Sequence, residues 1–197
     1  MITSETNDIL LPPYLREDRK PGFLQELKAF ASQKNYYALL SDPEPLQGDC
    51  WSGITVIEAG SSPVTLKCLV ISNSCDLAKA NFRFSNPNVS LVPLVLIDRY
   101  ETGLKAEFDA NRVTDHIADI RAQRVSSMFF LPSHPGVGGD CIACLDQIYT
   151  VPLQTFTERA VTKRVFSLRD TAFYLLLFKL SFHFCRLHEN IDRSPTA

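Results

Sequence analysis

The sequence predicts one domain of the α+β class, in which an antiparallel β-barrel carries a helix at each end and one inserted helix. Three observations favour this class. Short runs rich in β-branched residues, separated by glycine- and proline-containing turns, occupy the middle of the chain. Apolar residues recur at helical spacing near the start, and a long apolar pattern closes the sequence. A chain of 197 residues can bury one sizeable core, and no linker divides it, so residues 1–197 are expected to form a single unit.

The first part of the chain predicts an arm and a helix outside the barrel. Residues 1–21 contain three prolines, which oppose regular structure, so an extended arm is expected. Apolar residues between Phe23 and Ala31 then follow helical spacing, which predicts a helix over residues 22–40. The proline-containing loop SDPEPLQGD leads from this helix into the barrel.

Five strands are recognisable in the predicted barrel, which spans residues 47–165. WSGITVIE and VTLKCLVIS predict a hairpin, and VSLVPLVLI predicts a third strand in which Pro93 marks an edge or a bulge. SMFFLP predicts a fourth strand. CIACLDQIYTVPL predicts a fifth and long strand, whose imperfect alternation indicates a bulge. The polar stretch 98–125 has a narrow apolar stripe at helical spacing, so a surface helix is expected there as an insertion.

A helix over residues 167–190 is predicted to close the chain. Ser167 is expected to cap it, and Asp170 to bond back to the capping amide. Apolar side chains cover most of the circumference, which predicts burial on about three sides. The polar exceptions form one narrow stripe, Lys179, His183, Arg186 and Asn190.

The apolar arc of this helix is wider than packing on a small barrel requires, which predicts a protein partner or a second copy of the chain. The residues expected at that interface are Phe173, Leu176, Leu177, Leu180 and Phe184. In the alternative interpretation, the N-terminal helix and arm cover the excess apolar surface.

Composition and charge restrict the partners. Twenty basic and 22 acidic residues give a net charge of −2, so no overall positive field attracts nucleic acid. A nucleic acid would need a local patch, for which Lys163, Arg164 and Arg169 are the candidates. Six cysteines and no recognisable secretory leader predict free thiols in the cytoplasm. The longest apolar run, residues 172–178, is far shorter than the roughly 20 residues of a membrane span, so no membrane contact is expected.

Lys67, Cys75 and Asp76 form the candidate catalytic set. Cys75 and Asp76 follow the strand VTLKCLVIS at its change to a loop, a common position for functional side chains. No histidine neighbours the thiol in sequence to activate it, and Lys67 is among the nearest cations. In the alternative interpretation, Cys75 is a small buried residue and Asp76 caps the following turn.

Cys141 and Cys144 have the spacing of half a zinc site, with His134 as the nearest additional ligand. Residues three apart on a strand point to opposite faces, so the two thiols should diverge. We therefore predict no metal and no cofactor.

The order of the strand phrases resembles the PemK/MazF-like toxin barrels, over roughly residues 47–187. A Gly-Asp pair opens the first strand, a Val-Ile-Ser-Asn phrase ends the next, a proline-centred strand follows, and a Leu-Asp-Gln-Ile phrase precedes the closing helix. The matching residues are Gly48, Asp49, Val70, Ile71, Ser72, Asn73, Pro93, Leu145, Asp146, Gln147 and Ile148. The resemblance implies a small SH3-like barrel.

The departures from that family concern its catalytic groups. The ribonuclease toxins have an Arg-Pro at the place of Leu66 and Lys67, and a serine or threonine after the proline of the next strand, where this chain has Leu94 and Val95. We therefore expect a non-catalytic protein-interaction subunit of a bacterial toxin or phage-defence assembly. The alternative is a ribonuclease toxin acting on single-stranded RNA, with Lys67 in place of the arginine.

Overall fold

Eight strands of the described residues form one antiparallel, curled sheet. The computed structural model describes residues 36–38, 43–57, 60, 62–81, 86–158 and 162–185. The strands are β1 (Tyr37–Ala38), β2 (Asp49–Val56), β3 (Val64–Val70), β4 (Asn88–Leu96), β5 (Met128–His134), β6 (Gly139–Cys144), β7 (Tyr149–Pro152) and β8 (Lys163–Leu168). They lie in the order β1-β8-β2-β3-β4-β6-β5, and β7 pairs with one end of β4.

Five helices accompany the sheet in this part of the chain. They are α1 (Ser74–Leu77), α2 (Ile97–Lys105), α3 (Ala110–Arg121), α4 (Gln154–Glu158) and α5 (Asp170–Phe184). The predicted α+β class with an antiparallel curled sheet is confirmed. The segment 98–125, where one inserted helix was predicted, contains two helices, α2 and α3. None of the helices in the described ranges is long and apolar enough to cross a membrane.

The sheet separates three apolar clusters because neighbouring side chains on a strand point to opposite faces. The largest lies between α5 and the concave face, and contains Leu69, Val92, Phe129, Phe166 and Leu176. The second lies beneath α1 and α4 on the other face of β2, β3 and β4. The third joins α2 and α3 to the outer face of β5 and β6.

Strand β4 is the centre of the sheet and changes partner along its length. One edge pairs with β3, from Leu91 to Pro93. The other edge pairs with β7 up to Leu91 and with β6 from Leu94 onwards. Pro93 is therefore neither on an edge strand nor at a bulge, as the sequence had suggested. It lies where the second edge of β4 changes from β7 to β6, so its missing amide hydrogen interrupts neither ladder.

The predicted helix over residues 22–40 is wrong at its C-terminal end. Tyr37 and Ala38 form β1 and pair with Leu168 and Ser167 of β8. A partner 130 residues away in sequence decides this conformation, which helical spacing alone cannot reveal. The expected arm and the rest of that helix lie outside the described residues.

The predicted long strand CIACLDQIYTVPL is two strands. β6 ends at Cys144, and in the turn that follows the amide of Leu145 donates to the carbonyl of Ser127 over 2.8 Å. The chain then restarts as β7 at Tyr149 to pair with the other end of β4. The irregular alternation thus marks an interruption at residues 145–148 between two strands that pair with the same edge of β4.

The predicted start of the last helix is also wrong. Ser167 belongs to β8, and its hydroxyl donates to Oδ1 of the buried Asp49 over 2.6 Å instead of capping a helix. Helix α5 begins at Asp170, with Arg169 as an N-cap that makes no side-chain capping bond, and ends at Phe184. Residues 186–190 of the predicted helix lie outside the described residues.

Lys179 does not lie in an exposed polar stripe. Its side chain is only 4% exposed, and Nζ donates to three oxygens, the carbonyls of Gln123 and Val125 and Oε1 of Gln123, at 3.1, 2.6 and 3.3 Å. Lys179 thus joins α5 to the turn between α3 and β5. Of the other stripe residues, Arg186 and Asn190 lie outside the described residues.

Candidate functional site

A cleft of about 680 Å³ opens in the sheet between β3 and β4. Its walls include two runs of four consecutive residues, 64–67 of β3 and 93–96 of β4. Consecutive side chains of a strand point to opposite faces, so a cavity on one face would contact only every second residue. The cleft therefore runs along the strand edges, through the sheet.

The strand register explains why the sheet opens here. β3 and β4 pair only through Cys68–Val70 and Leu91–Pro93. Beyond Pro93, β4 follows β6, whereas the earlier half of β3 stays with β2 in the register Ile54–Leu66 and Val56–Val64. The two strands diverge because each keeps a different partner, so beyond the Cys68–Pro93 pair neither facing edge has a ladder partner among the described residues.

Backbone polar groups face this opening. The amide of Gly48 at the start of β2 donates to the carbonyl of Val70, whereas the amide of Ile71 donates to Ser90 in β4. Backbone groups alternate in direction along a strand, so Leu66 directs its N–H and C=O towards β2, and Thr65 and Lys67 direct theirs towards β4 and the cleft. Pro93 has no amide hydrogen, so its pair with Cys68 is a non-hydrogen-bonded pair, in which the amide of Leu94 donates to the carbonyl of Lys67. Among the described residues, the N–H and C=O of Thr65 and the N–H of Lys67 therefore face the cleft without a ladder partner.

The charged side chains of the lining are both cationic. Lys67 of β3 and Arg99 of α2 line the cleft, and no carboxylate lies among the lining residues of the described chain. Neither cation makes an ion pair within that part of the chain. The nearest acceptor to Lys67 Nζ is the carbonyl of Val137, at 3.5 Å. The cleft is therefore suited to an anionic ligand.

The remaining lining is mainly apolar. Valine, leucine and proline side chains dominate it, with hydroxyl and amide groups from Ser52, Ser62, Thr65, Gln147 and Tyr149. Within the described residues, no histidine, carboxylate or thiol lines the cleft. Of the side chains that commonly transfer protons, the described lining has Lys67 and Tyr149. The arrangement can bind a ligand and orient it.

The candidate catalytic set is not assembled at the cleft. Lys67 is a lining residue, but Cys75 and Asp76 lie in α1, beyond the opposite end of β3, and do not line it. Cys75 and Asp76 are both exposed, so the alternative of a buried Cys75 is wrong. Asn73 is the N-cap of α1, because its Oδ1 accepts from the amide of Cys75 over 2.9 Å.

The predicted nucleic-acid patch is divided by an internal ion pair. Lys163 and Arg169 are exposed at opposite ends of β8, whereas Nε of Arg164 lies 2.8 Å from Oδ2 of Asp49. The guanidinium of Arg164 also lies over the Trp51 ring, 5.3 Å from its centroid. Burial raises the pKa of Asp49, and the hydroxyl of Ser167 and the positive charge of Arg164 oppose that rise. The side chain of Arg164 therefore stabilises the fold through internal contacts.

The residues predicted to bind a partner through α5 differ in exposure. Leu176 is fully buried in the main core, and Phe173, Leu177 and Leu180 are half-buried. Phe184 is 54% exposed, and Phe182, which the sequence analysis did not single out, is 51% exposed. Much of the apolar arc therefore packs on the protein's own sheet, and its exposed part lies at the end of the helix.

The cysteine pair of β6 diverges between two clusters. Cys141 lies in the main core and Cys144 in the cluster under α2 and α3. Burial raises the pKa of the two thiols to about 12 and about 11. His134 packs against the rings of Tyr37 and Phe166, with centroids 4.8 and 5.1 Å away. No group of metal-ligating side chains occurs within the described ranges.

Sequence reasoning missed Arg99 and the cleft itself. Arg99 lies just after the proline-centred strand, and only the divergence of β3 and β4 brings it to the same cleft as Lys67. The comparison with known proteins gives no further guidance, since the sequence matches no protein-family model and no curated protein.

Proposed function

We propose that the protein is a non-catalytic interaction module that holds a segment of a protein partner in the cleft between β3 and β4. The observation that carries this proposal is the lining itself. Eight edge residues of two strands, mostly apolar, surround an open slot, and its two cations, Lys67 and Arg99, make no ion pair within the described part of the chain.

A peptide suits this lining better than a folded surface does. The slot follows strand edges, which an extended chain can enter and a convex surface cannot. Val64 and Leu96 are 50% and 40% exposed at the opening, and a bound segment would cover them. Burial of apolar surface contributes about 25 cal/mol per Å², so even these two side chains favour an apolar occupant.

The biological setting follows from the resemblance to PemK/MazF-like barrels. We propose a subunit of a bacterial toxin or phage-defence assembly, in which the lost catalytic groups leave binding as the role of the barrel. The absence of histidine, carboxylate and thiol side chains from the described lining supports that part of the proposal.

Affinity purification from cells that carry the neighbouring genes tests the proposal. The cleft variant is Lys67→Glu with Arg99→Glu, and the matched control is Lys163→Glu with Arg169→Glu, which reverses two exposed cations outside the cleft. A protein that co-purifies with the wild type and the control, and is lost from a folded cleft variant, is the expected result. Equal recovery with all three proteins would contradict the cleft as the binding site. A Phe184→Glu variant tests the end of α5 in the same way.

A second candidate function is binding of single-stranded RNA, which the two cations favour. Lys67 and Arg99 could contact phosphates, although the described lining has only Tyr149 as an aromatic side chain for base stacking. Fluorescence anisotropy with an oligouridine probe at two salt concentrations tests it. Binding that falls steeply with salt and disappears in the cleft variant would support RNA. RNA cleavage that Lys67→Ala and Asp76→Ala leave unchanged would exclude the catalytic set.

A further inference from the structure

The geometry points to a specific binding mode, which rests on the function proposed above: the partner segment is an extended acidic peptide that adds as a β-strand to the free edge of β3. The N–H and C=O of Thr65 and the N–H of Lys67 supply the backbone groups, and the ammonium of Lys67 and the guanidinium of Arg99 bind its carboxylates.

The backbone argument comes from the register. β3 is paired with β2 from Val64 to Leu69, with a bulge opposite Lys67, but with β4 only at Cys68–Val70. Among the described residues, the N–H and C=O of Thr65 and the N–H of Lys67 therefore face the cleft without a ladder partner. An extended peptide satisfies such groups by adding a strand, with neighbouring strands about 4.8 Å apart.

The shape of the cleft supports the same mode. A bound strand would lie beside β3, with side chains directed alternately to the two faces of the sheet. The lining provides contacts on both faces, because consecutive residues 64–67 and 93–96 all reach it. A ligand bound on one face of the sheet would use only half of these contacts.

Charge complementarity identifies the chemistry of the peptide. Lys67 and Arg99 are the charged residues of the described lining, and both are cationic. An apolar peptide would leave both cations without a counter-charge, and a basic peptide would be repelled. Carboxylates on the bound strand form charge-assisted hydrogen bonds with such groups.

Binding of defined peptides to the full chain tests the inference. The probe is a fluorescein-labelled peptide of sequence Ser-Glu-Val-Thr-Val-Glu-Val-Thr, acetylated and amidated. One control replaces glutamate by glutamine. Two others carry N-methyl groups on the valines or on the alternate residues, so that each blocks one edge of the added strand. Fluorescence anisotropy gives the affinity, and amide NMR shifts identify the contacts.

The expected result is that the acidic peptide binds and shifts the amides of Thr65 and Lys67. The glutamine peptide and one of the two N-methylated peptides should bind at least tenfold more weakly. Thr65→Pro, which removes a cleft-facing amide, should weaken binding of the acidic peptide by a similar factor.

Three outcomes would overturn the inference. If the acidic peptide does not bind, or both N-methylated peptides bind as well as the parent, strand addition is wrong. The proposed function would still stand if the cleft variant loses its co-purifying protein. If the chain forms dimers that Thr65→Pro abolishes, the occupant is a second copy. If oligouridine displaces the peptide and binds more tightly, both the inference and the proposed function fail.

Discussion

The outer edge of β5 and the edge of β3 at the cleft differ in how far other parts of the protein cover them. β5 is the last strand of the sheet, and its outer edge is occupied by side chains of the protein itself. Gln123 donates from Nε2 to the carbonyl of Phe130 over 2.7 Å and accepts from its amide over 3.2 Å, as a neighbouring strand would. The hydroxyl of Tyr37 donates to the carbonyl of Pro132. The edge of β3 at the cleft has no such cover among the described residues.

The difference indicates that an open edge is not forced on this fold. Unpaired strand edges promote unwanted association, and proteins usually block them. Here the blocked edge is supported further, because Lys179 holds both the carbonyl and the side chain of Gln123. The open edge instead has two cations beside it. We infer that β5 is closed for stability and that β3 is left open for binding.

We expect the largest difference in stability between two proline substitutions in β3, one that removes an amide facing β2 and one that removes an amide facing the cleft. Leu66→Pro removes an amide that faces β2, and we expect a loss of at least about 3 kcal/mol in the free energy of unfolding. Thr65→Pro removes an amide that faces the cleft, so the loss should be about 1 kcal/mol or less. Urea denaturation measures both. Similar losses would show that Thr65 also has a ladder partner.

Gln123→Ala should open the closed edge. The Phe130 backbone groups and Lys179 lose hydrogen-bond partners, and an unsatisfied buried group costs about 1–3 kcal/mol. We expect a destabilisation of about 2 kcal/mol and a greater tendency to aggregate, measured by urea denaturation and light scattering. Gln147→Ala, at an exposed position of the cleft lining, is the control and should leave stability nearly unchanged.

The contribution of Lys179 to the free energy of unfolding should increase with pH in the alkaline range. Burial lowers the pKa of Lys179 from its ordinary value of 10.5 to about 8. Between these values the unfolded chain binds more protons than the folded chain, so the contribution of Lys179 to stability rises with pH. Relative to Lys179→Met, the wild type should gain about 1 kcal/mol between pH 8 and pH 9. Parallel pH profiles of the two proteins would contradict this assignment.

Substitutions in the open cleft should affect stability least. Lys67→Gln with Arg99→Gln removes two charges that make no internal ion pair in the described chain, so thermal unfolding should change by the equivalent of about 0.5 kcal/mol or less. A larger loss of stability would mean that the two cations stabilise the fold, as Arg164 does through its ion pair with Asp49.

The sequence predicted much of the sheet but less of the site. β2, β3 and β4 correspond to recognisable β-branched runs and β5 to the short apolar run SMFFLP, because these side-chain patterns are local. β1 and β8 were missed, since Tyr37–Ala38 and Lys163–Leu168 become strands by pairing with each other and with β2. Lys67 was identified as a candidate, whereas its separation from Cys75 and its proximity to Arg99 depend on where β3 and β4 diverge.

The sequence by itself determined the α+β class, the segments that form the main strands and the apolar character of α5, because periodicity and composition are local properties of the chain. Only the tertiary structure decided which edges pair and which stay open. In the folded protein Lys179 is buried, and Ser167 and Arg164 contact Asp49. Strand β4 pairs with β3 along one edge and with β7 and β6 along the other. The physical reason is that strand pairing joins residues far apart in sequence, and no local pattern records which partner each edge obtains.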